Sequence, residues 1–257
     1  MTENNKKNSN PVTFNVLENQ KIFYKDNQQI AIQTMSSHGT ILKEVVATAG
    51  KIPDGEAIEY YKENGIKTKA HYKNNQLDGF LEKFDAFGNT LAEENYSGGM
   101  LEGKTTIYYP KEKKIREVRH YKQNKLNDKR DVFYANGNKF IEENYCNGKL
   151  DGLRQTFYEN GTLNEKEIYI NDKLESEKIY YYQTGEVWYK ENYSNGKLKG
   201  VKEVYYPNQK PFSTEHYKDG MLHGEKLVYD ENGKVKLKEN YDCNQLARKN
   251  KEDKNGK

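Results

Sequence analysis

The chain has 257 residues, with 42 Lys+Arg against 39 Asp+Glu, so its net charge is only +3. Leu 16, Ile 13, Val 11 and Phe 9 are too few for the buried aliphatic runs of parallel-sheet folds, which argues against a Rossmann domain or a TIM barrel. The 22 Tyr argue against a disordered chain, because disorder goes with few aromatics and a large net charge.

Residues Met1–Phe14 (MTENNKKNSNPVTF) contain no apolar core of the signal-peptide kind. No apolar stretch approaches the roughly 18 residues of a membrane span. The expectation is a cytoplasmic protein with no transmembrane segment. Residues 1–30 form an unassigned N-terminal segment with a degenerate cap. Residues 31–54 are expected to be a degenerate repeat, with Gly39, Glu44, Val46 and Ile52 near the repeat positions. Residues 55–246 hold eight repeats, which start at Gly55, Gly79, Gly103, Asp128, Gly152, Ser176, Gly200 and Gly224. The tail 247–257 (ARKNKEDKNGK) is expected to be disordered and charged.

Positions are counted from each start as zero. Position five is aromatic, as in Phe84, Tyr108, Phe133, Phe157, Tyr181, Tyr205 and Tyr229. Position seventeen is Tyr, as in Tyr72, Tyr96, Tyr145, Tyr169, Tyr193, Tyr217 and Tyr241, with Tyr121 one residue late. Position twenty-two is Leu, for example Leu77, Leu150 and Leu174, with Leu126 one residue late.

Each repeat also carries two turn signals. Tyr134-Ala-Asn-Gly137 and Tyr158-Glu-Asn-Gly161 read as type I turns ending on a left-handed glycine. Asn147-Gly148, Asn195-Gly196 and Asp219-Gly220 read as two-residue type I′ hairpin turns. The second turn sets the Tyr at seventeen across from the Leu at twenty-two. A single-residue bulge at the unit-start Gly is expected to place positions five, seventeen and twenty-two on one face, with the Glu at fifteen covering that Gly. The fold class expected is all-β: an elongated antiparallel β-meander of about eight to nine 24-residue hairpin repeats, on the order of 80 Å long at the usual strand spacing.

Units such as GLRQTFYENGTLNEKEIYINDKLE and YYQTGEVWYKENYSNGKLKG resemble the bacterial variant of the MORN repeat, as found in YwqK-type antitoxins. The resemblance covers about residues 39–246. It implies a scaffold, a dimerisation module or a lipid binder, and it carries no catalytic motif that could be transferred.

His71, His120 and His216 alternate with Asn95, Asn144, Asn192 and Asn240 just before the Tyr at seventeen, so they read as structural. His38 and His223 read as isolated, and Cys146 and Cys243 as buried or inert thiols too far apart for a disulfide. A glutamate ladder (Glu94, Glu143, Glu167, Glu191, Glu215, Glu239) offers no unique acid/base pair. No metal-ligand spacing, phosphate loop or nucleophile context appears, so no enzyme, no cofactor and no metal site are expected.

Two features point to a partner. Tyr109, Tyr134, Tyr158, Tyr182 and Tyr206 occupy position six in five consecutive repeats, with Asp85 and Asp230 beyond either end and Tyr180, Trp188 and Tyr189 beside them. Exposed Tyr and Trp anchor protein interfaces. Lys125, Lys149, Lys173 and Lys197 form a row at the second turn. The expected function is a non-enzymatic repeat scaffold that binds a protein partner, with a toxin or effector enzyme and an antitoxin or immunity role foremost. The alternatives are a peripheral anionic-lipid binder, a nucleic-acid or ribonucleoprotein binder that stacks bases on tyrosines, and self-association.

Overall fold

The computed structural model describes residues 10–35 and 45–247 and is all-β, with 24 strands. The expectations for His38, Gly39, Glu44 and residues 248–257 lie outside the described residues. The chain divides into two compact units, 1–128 and 129–257.

The first unit begins with four strands: β1 (Val12–Leu17), β2 (Gln20–Lys25), β3 (Gln28–Met35) and β4 (Val45–Gly50). They form an antiparallel meander whose neighbours pair in sequence order. The segment 31–54 supplies most of β3 and all of β4. β1 then pairs in parallel with β5 (Gly55–Tyr60), through Val12↔Ala57 and Thr13↔Ile58. This is how the repeats join the N-terminal strands. Alternating side chains of the meander reach across to the first repeats, where Phe14, Phe23, Ile52, Ala57, Ala70, Tyr72 and Leu81 form one buried cluster. The rings of Phe23 and Tyr72 meet edge-on at 5.1 Å.

The repeats are hairpins, as their turn residues require. In the type I turns, Gly137 N–H donates to the Tyr134 carbonyl at 2.9 Å, and Tyr134 N–H to the Asn138 carbonyl at 2.8 Å. Gly137 sits at φ 93, which the glycine accommodates without strain. In the type I′ turns both central residues have positive φ, as at Asn147 (52) and Gly148 (86). Tyr145↔Leu150 and Tyr169↔Leu174 are direct cross-strand partners, as the spacing anticipates.

Every unit start has positive φ, including the two that are not glycine, Asp128 (79) and Ser176 (68). The bulge is therefore there, but it is larger than expected. The pairing changes from Tyr145↔Leu150 to Ile141↔Thr156, so two extra residues are accommodated rather than one. An even insertion preserves the alternation of the pleat. Positions fifteen and seventeen therefore share a face with positions two and twenty-two, while the aromatic at five points to the other face. There the Tyr205 hydroxyl donates to Glu203 (2.8 Å) and Lys69 lies over the Phe84 ring (6.0 Å).

What covers the unit-start Gly is position sixteen, not the Glu at fifteen. A Cβ on Gly152 would come within 3.3 Å of Asn144 Cβ, and one on Gly224 within 3.2 Å of His216 Cβ. The Asn and His alternates do the same job: Asn144 Nδ2 donates to the Leu153 carbonyl (2.6 Å), and His216 Nδ1 lies 2.8 Å from the Glu225 carbonyl.

Candidate functional site: an aromatic rim and a buried charge ladder

In the second unit the tyrosines at position six are structural at their hydroxyls. Tyr134, Tyr158, Tyr182 and Tyr206 donate to the carbonyls of Phe157, Tyr181, Tyr205 and Tyr229, each 23 residues on, at 2.9, 2.7, 2.8 and 3.1 Å. Each ring thus ties its turn to the next repeat. Tyr109 is half-buried, and its N–H donates to the Lys114 carbonyl at 2.8 Å. Asp85 and Asp230 instead bend onto their own turns; Asp230 Oδ1 accepts from Asn232 N (3.0 Å) and Lys234 N (2.9 Å).

A second aromatic set stands beside these rings. The hairpin register shifts at the first turn: Tyr180 faces Tyr189 while Tyr181 faces Val187. Trp188 is the extra residue of that bulge and projects at the rim. Phe140 and Phe212 hold the same repeat position. Their rings meet the position-six tyrosines as Tyr134–Phe140 (4.8 Å), Tyr182–Trp188 (5.8 Å) and Tyr206–Phe212 (5.2 Å). Phe140, Trp188 and Phe212 remain 38%, 43% and 40% exposed. Phe140 and Phe212 escaped the sequence reading. The available signal was an aromatic six residues after the position-six Tyr in three repeats.

Tyr180 and Tyr189 lie elsewhere. Their rings stack at 4.1 Å between two cations, Lys178 over Tyr180 (4.6 Å) and Lys202 over Tyr189 (5.0 Å). Trp188 touches Tyr189 edge-on at 5.0 Å, so four expected residues form one chain of ring contacts. Only its Tyr182–Trp188 end reaches the rim.

The cations beside those rings belong to a row that the sequence reading did not single out. Arg130, Arg154, Lys178, Lys202 and Lys226 recur at position two. They interleave with the glutamates at fifteen. Glu143 receives Arg130 (2.6 Å) and Arg154 (3.0 Å); Glu167 receives Arg154 (2.6 Å) and Lys178 (2.6 Å). Lys202 reaches Glu191 at 2.8 Å, and Lys226 reaches Glu215 at 2.9 Å. The Tyr at seventeen completes the ladder: the hydroxyls of Tyr145, Tyr193 and Tyr217 donate to Glu143, Glu191 and Glu215.

Glu143, Glu167 and Glu191 are buried, and buried carboxylates need such partners. Burial alone would raise the Glu143, Glu165 and Glu215 carboxyls. Hydrogen bonds and charges from Arg130, Lys178 and Lys226 outweigh it and hold all three below the ordinary carboxylate value. Burial, then the bonds to Glu191 and Glu203, push the Tyr193 and Tyr205 phenols up to about 12.

The lysine row is not joined to the tyrosines. Lys125, Lys149, Lys173 and Lys197 are exposed at the type I′ turns. In a repeat such as Gly152's, that turn lies one strand length away from the aromatic rim, about 25 Å for eight residues. Lys173 Nζ meets the Asn195 side chain at 3.3 Å.

Both cysteines are free and exposed, which corrects the expectation of buried thiols. Nor is His223 isolated. Its Nδ1 lies 3.2 Å from Asp242 Oδ1 and 3.9 Å from Cys243 Sγ. Among the described residues no helix is long and apolar enough to cross a membrane.

A family model described as a MORN repeat variant matches residues 53–74, 150–171 and 222–242. All three matches fall on the hairpin units, one near each end of the series and one in its middle. No curated protein matches the chain.

Proposed function

With MORN-variant repeats as the premise, we propose that the chain is a non-enzymatic scaffold whose second unit binds a protein partner along its aromatic rim. The observation that carries this is the exposure of Phe140, Trp188 and Phe212 at one repeat position, each braced by a ring whose hydroxyl is already committed to the backbone. Braced, half-exposed aromatics lose little side-chain entropy on docking, and Trp is the strongest anchor type. The glutamate ladder supports the non-enzymatic reading: its carboxylates from Glu143 to Glu215 are matched to cations, and the two with displaced acidity, Glu143 and Glu215, are held ionised rather than poised to donate a proton.

The partner reading ranks above the lipid and nucleic-acid alternatives because the exposed lysines and the exposed rings occupy opposite turns of each hairpin. A base-stacking or headgroup site wants both together. The resemblance to antitoxins narrows the partner to a toxic effector enzyme that the scaffold would block.

The test compares the wild type with a Trp188→Ala/Phe212→Ala variant in pull-down from the native host, with both proteins melted in parallel. A protein recovered by the wild type, lost by at least tenfold in the variant at unchanged Tm, supports the rim. Equal recovery by both sinks it. Flotation with anionic vesicles, insensitive to the variant but abolished by removing the lysines, would favour the lipid alternative.

A further inference from the structure

The residue just before each unit start usually pins the type I′ turn of its own repeat. Asp54, Asp78, Glu102, Asp151 and Glu175 accept the backbone N–H of Asn74, Gly98, Gln123, Asn171 and Asn195, at 2.9, 3.1, 2.9, 3.1 and 2.6 Å. The last repeat breaks this pattern at both partners. His223 stands where the carboxylate was, and Cys243 stands at the first turn residue, with φ 46. The two substitutions meet in space: imidazole, thiol and the Asp242 carboxylate each place one donor atom within 4.8 Å of the others.

We propose that His223, Asp242 and Cys243 form a binding site for a zinc-type divalent cation. The donor set is the one that zinc favours: thiolate sulfur, imidazole nitrogen and carboxylate oxygen. An ion at about 2.3 Å from sulfur and about 2.0 Å from nitrogen and oxygen, in tetrahedral geometry, sets those atoms about 3.3–3.6 Å apart. The observed 3.2 Å for Nδ1–Oδ1 and 3.9 Å for Nδ1–Sγ lie on either side of that range and every donor pair falls within 4.8 Å, so rotation of the side chains closes the site. Aspartate and thiolate together supply two negative charges, which balance the dication. On binding, the thiol proton passes to solvent as the metal–sulfur bond forms, with no change in oxidation state.

Three protein ligands leave a fourth position for water. Two ligands come from the turn that closes Val235–Asp242 onto Gln245–Leu246, and the third from the strand Met221–Tyr229. The metal would therefore pin the terminal turn to its neighbouring strand, which the carboxylate bond does in the earlier repeats.

Cobalt(II) titration of the full chain tests the site, because a thiolate ligand gives an intense sulfur-to-cobalt charge-transfer absorption. Cys146 is the internal control: it is equally exposed, and its sulfur faces the Asn147 amide (3.7 Å). The expected result is a charge-transfer band that saturates at one cobalt per chain and is displaced by zinc. That band is lost in Cys243→Ser, lost or sharply weakened in His223→Ala, and unchanged in Cys146→Ser. Absence of the band in the wild type, its retention at full strength in His223→Ala, or its loss in Cys146→Ser alone overturns the proposal. All three positions are solvent-accessible, and circular dichroism of each variant confirms that the fold is intact.

Discussion

Across the hairpin of the Gly55 repeat, Ala57 faces Ala70, and both belong to the cluster around Phe23 and Tyr72. Across the hairpin of the Gly152 repeat, the same two positions are Arg154 and Glu167, joined at 2.6 Å. The backbone pairing is identical and the buried chemistry is opposite. In the first unit β1–β4 cover this face, so small apolar residues suit it and the gain comes from removing hydrocarbon from water. In the second unit the same face carries alternating cations and carboxylates. Among the described residues, every buried hydrophobic side chain lies between Val12 and Leu101, while the second unit buries Glu143, Thr156, Glu167, Glu191 and Ser213. The repeat thus specifies a backbone and leaves the chemistry of its inner face free to match what covers it.

The tyrosine at seventeen makes the contrast sharper. Tyr193 and Tyr217 give their hydroxyls to the glutamate two residues earlier. Tyr72 has Ala70 there instead, and its buried hydroxyl has no hydrogen-bond partner among the described residues.

Cutting into the apolar core should have the largest effect. Phe23→Ala removes a ring that is fully buried, and should cost about 3–5 kcal/mol. In hydrogen exchange the loss of protection should centre on residues 12–101; equal loss throughout 129–246 would show that the two regions do not differ as described.

Next comes the ladder. Glu167→Gln removes the more deeply buried of the two carboxylates that Arg154 and Lys178 share, and leaves them Glu165. Breaking a fully buried pair costs about 3–5 kcal/mol, and the partial exposure of both cations together with the remaining Glu165 reduces this to about 2. Acid should act the same way. Glu143, Glu165 and Glu215 have lowered pKa values in the fold, so their stabilisation is complete above the ordinary value of 4.5 and is lost as pH falls below it. The second unit should lose exchange protection before the first as pH drops from about 4.5. The reverse order would contradict the ladder's role.

The smallest effect is a change of sign. Tyr193→Phe removes a bond to Glu191 and should destabilise by about 1 kcal/mol. Tyr72→Phe removes an orphaned hydroxyl from a buried site and should be neutral or stabilising by a similar amount. Denaturant midpoints of the two variants report this directly, and equal losses in both would refute it.

Much of the fold was legible in the residues. Asn-Gly and Asp-Gly pairs encode their turn through φ, and the Tyr–Leu spacing encodes the register, because both are local. The face of the aromatic at five was not legible. It depends on whether the bulge admits one residue or two, and a glycine permits either. The cation row was hidden because Arg154 and Lys178 are two among 42 similar residues, and only their pairing across the sheet sets them apart. The strands β1 and β2 escaped because residues 1–30 carry no repeat position. Of the candidate site, Trp188 and Tyr182 were legible as aromatics out of register. Phe140 and Phe212 needed the turn bulge to show that they project outward, and His223 needed the hairpin to bring a residue 20 positions away beside it.

The bond from the position-six hydroxyls of Tyr134, Tyr158, Tyr182 and Tyr206 to a carbonyl 23 residues on has a consequence for how such a chain can change its length. Donor and acceptor occupy fixed places in adjoining repeats, so excising one whole repeat rejoins a donor to an equivalent acceptor. Gene slippage by a whole repeat is therefore nearly silent to the backbone, while slippage by any other amount strands the bond that spans the join. The number of repeats is free to drift under selection for reach, and the sequence of any one repeat can diverge on its inner face without disturbing that freedom.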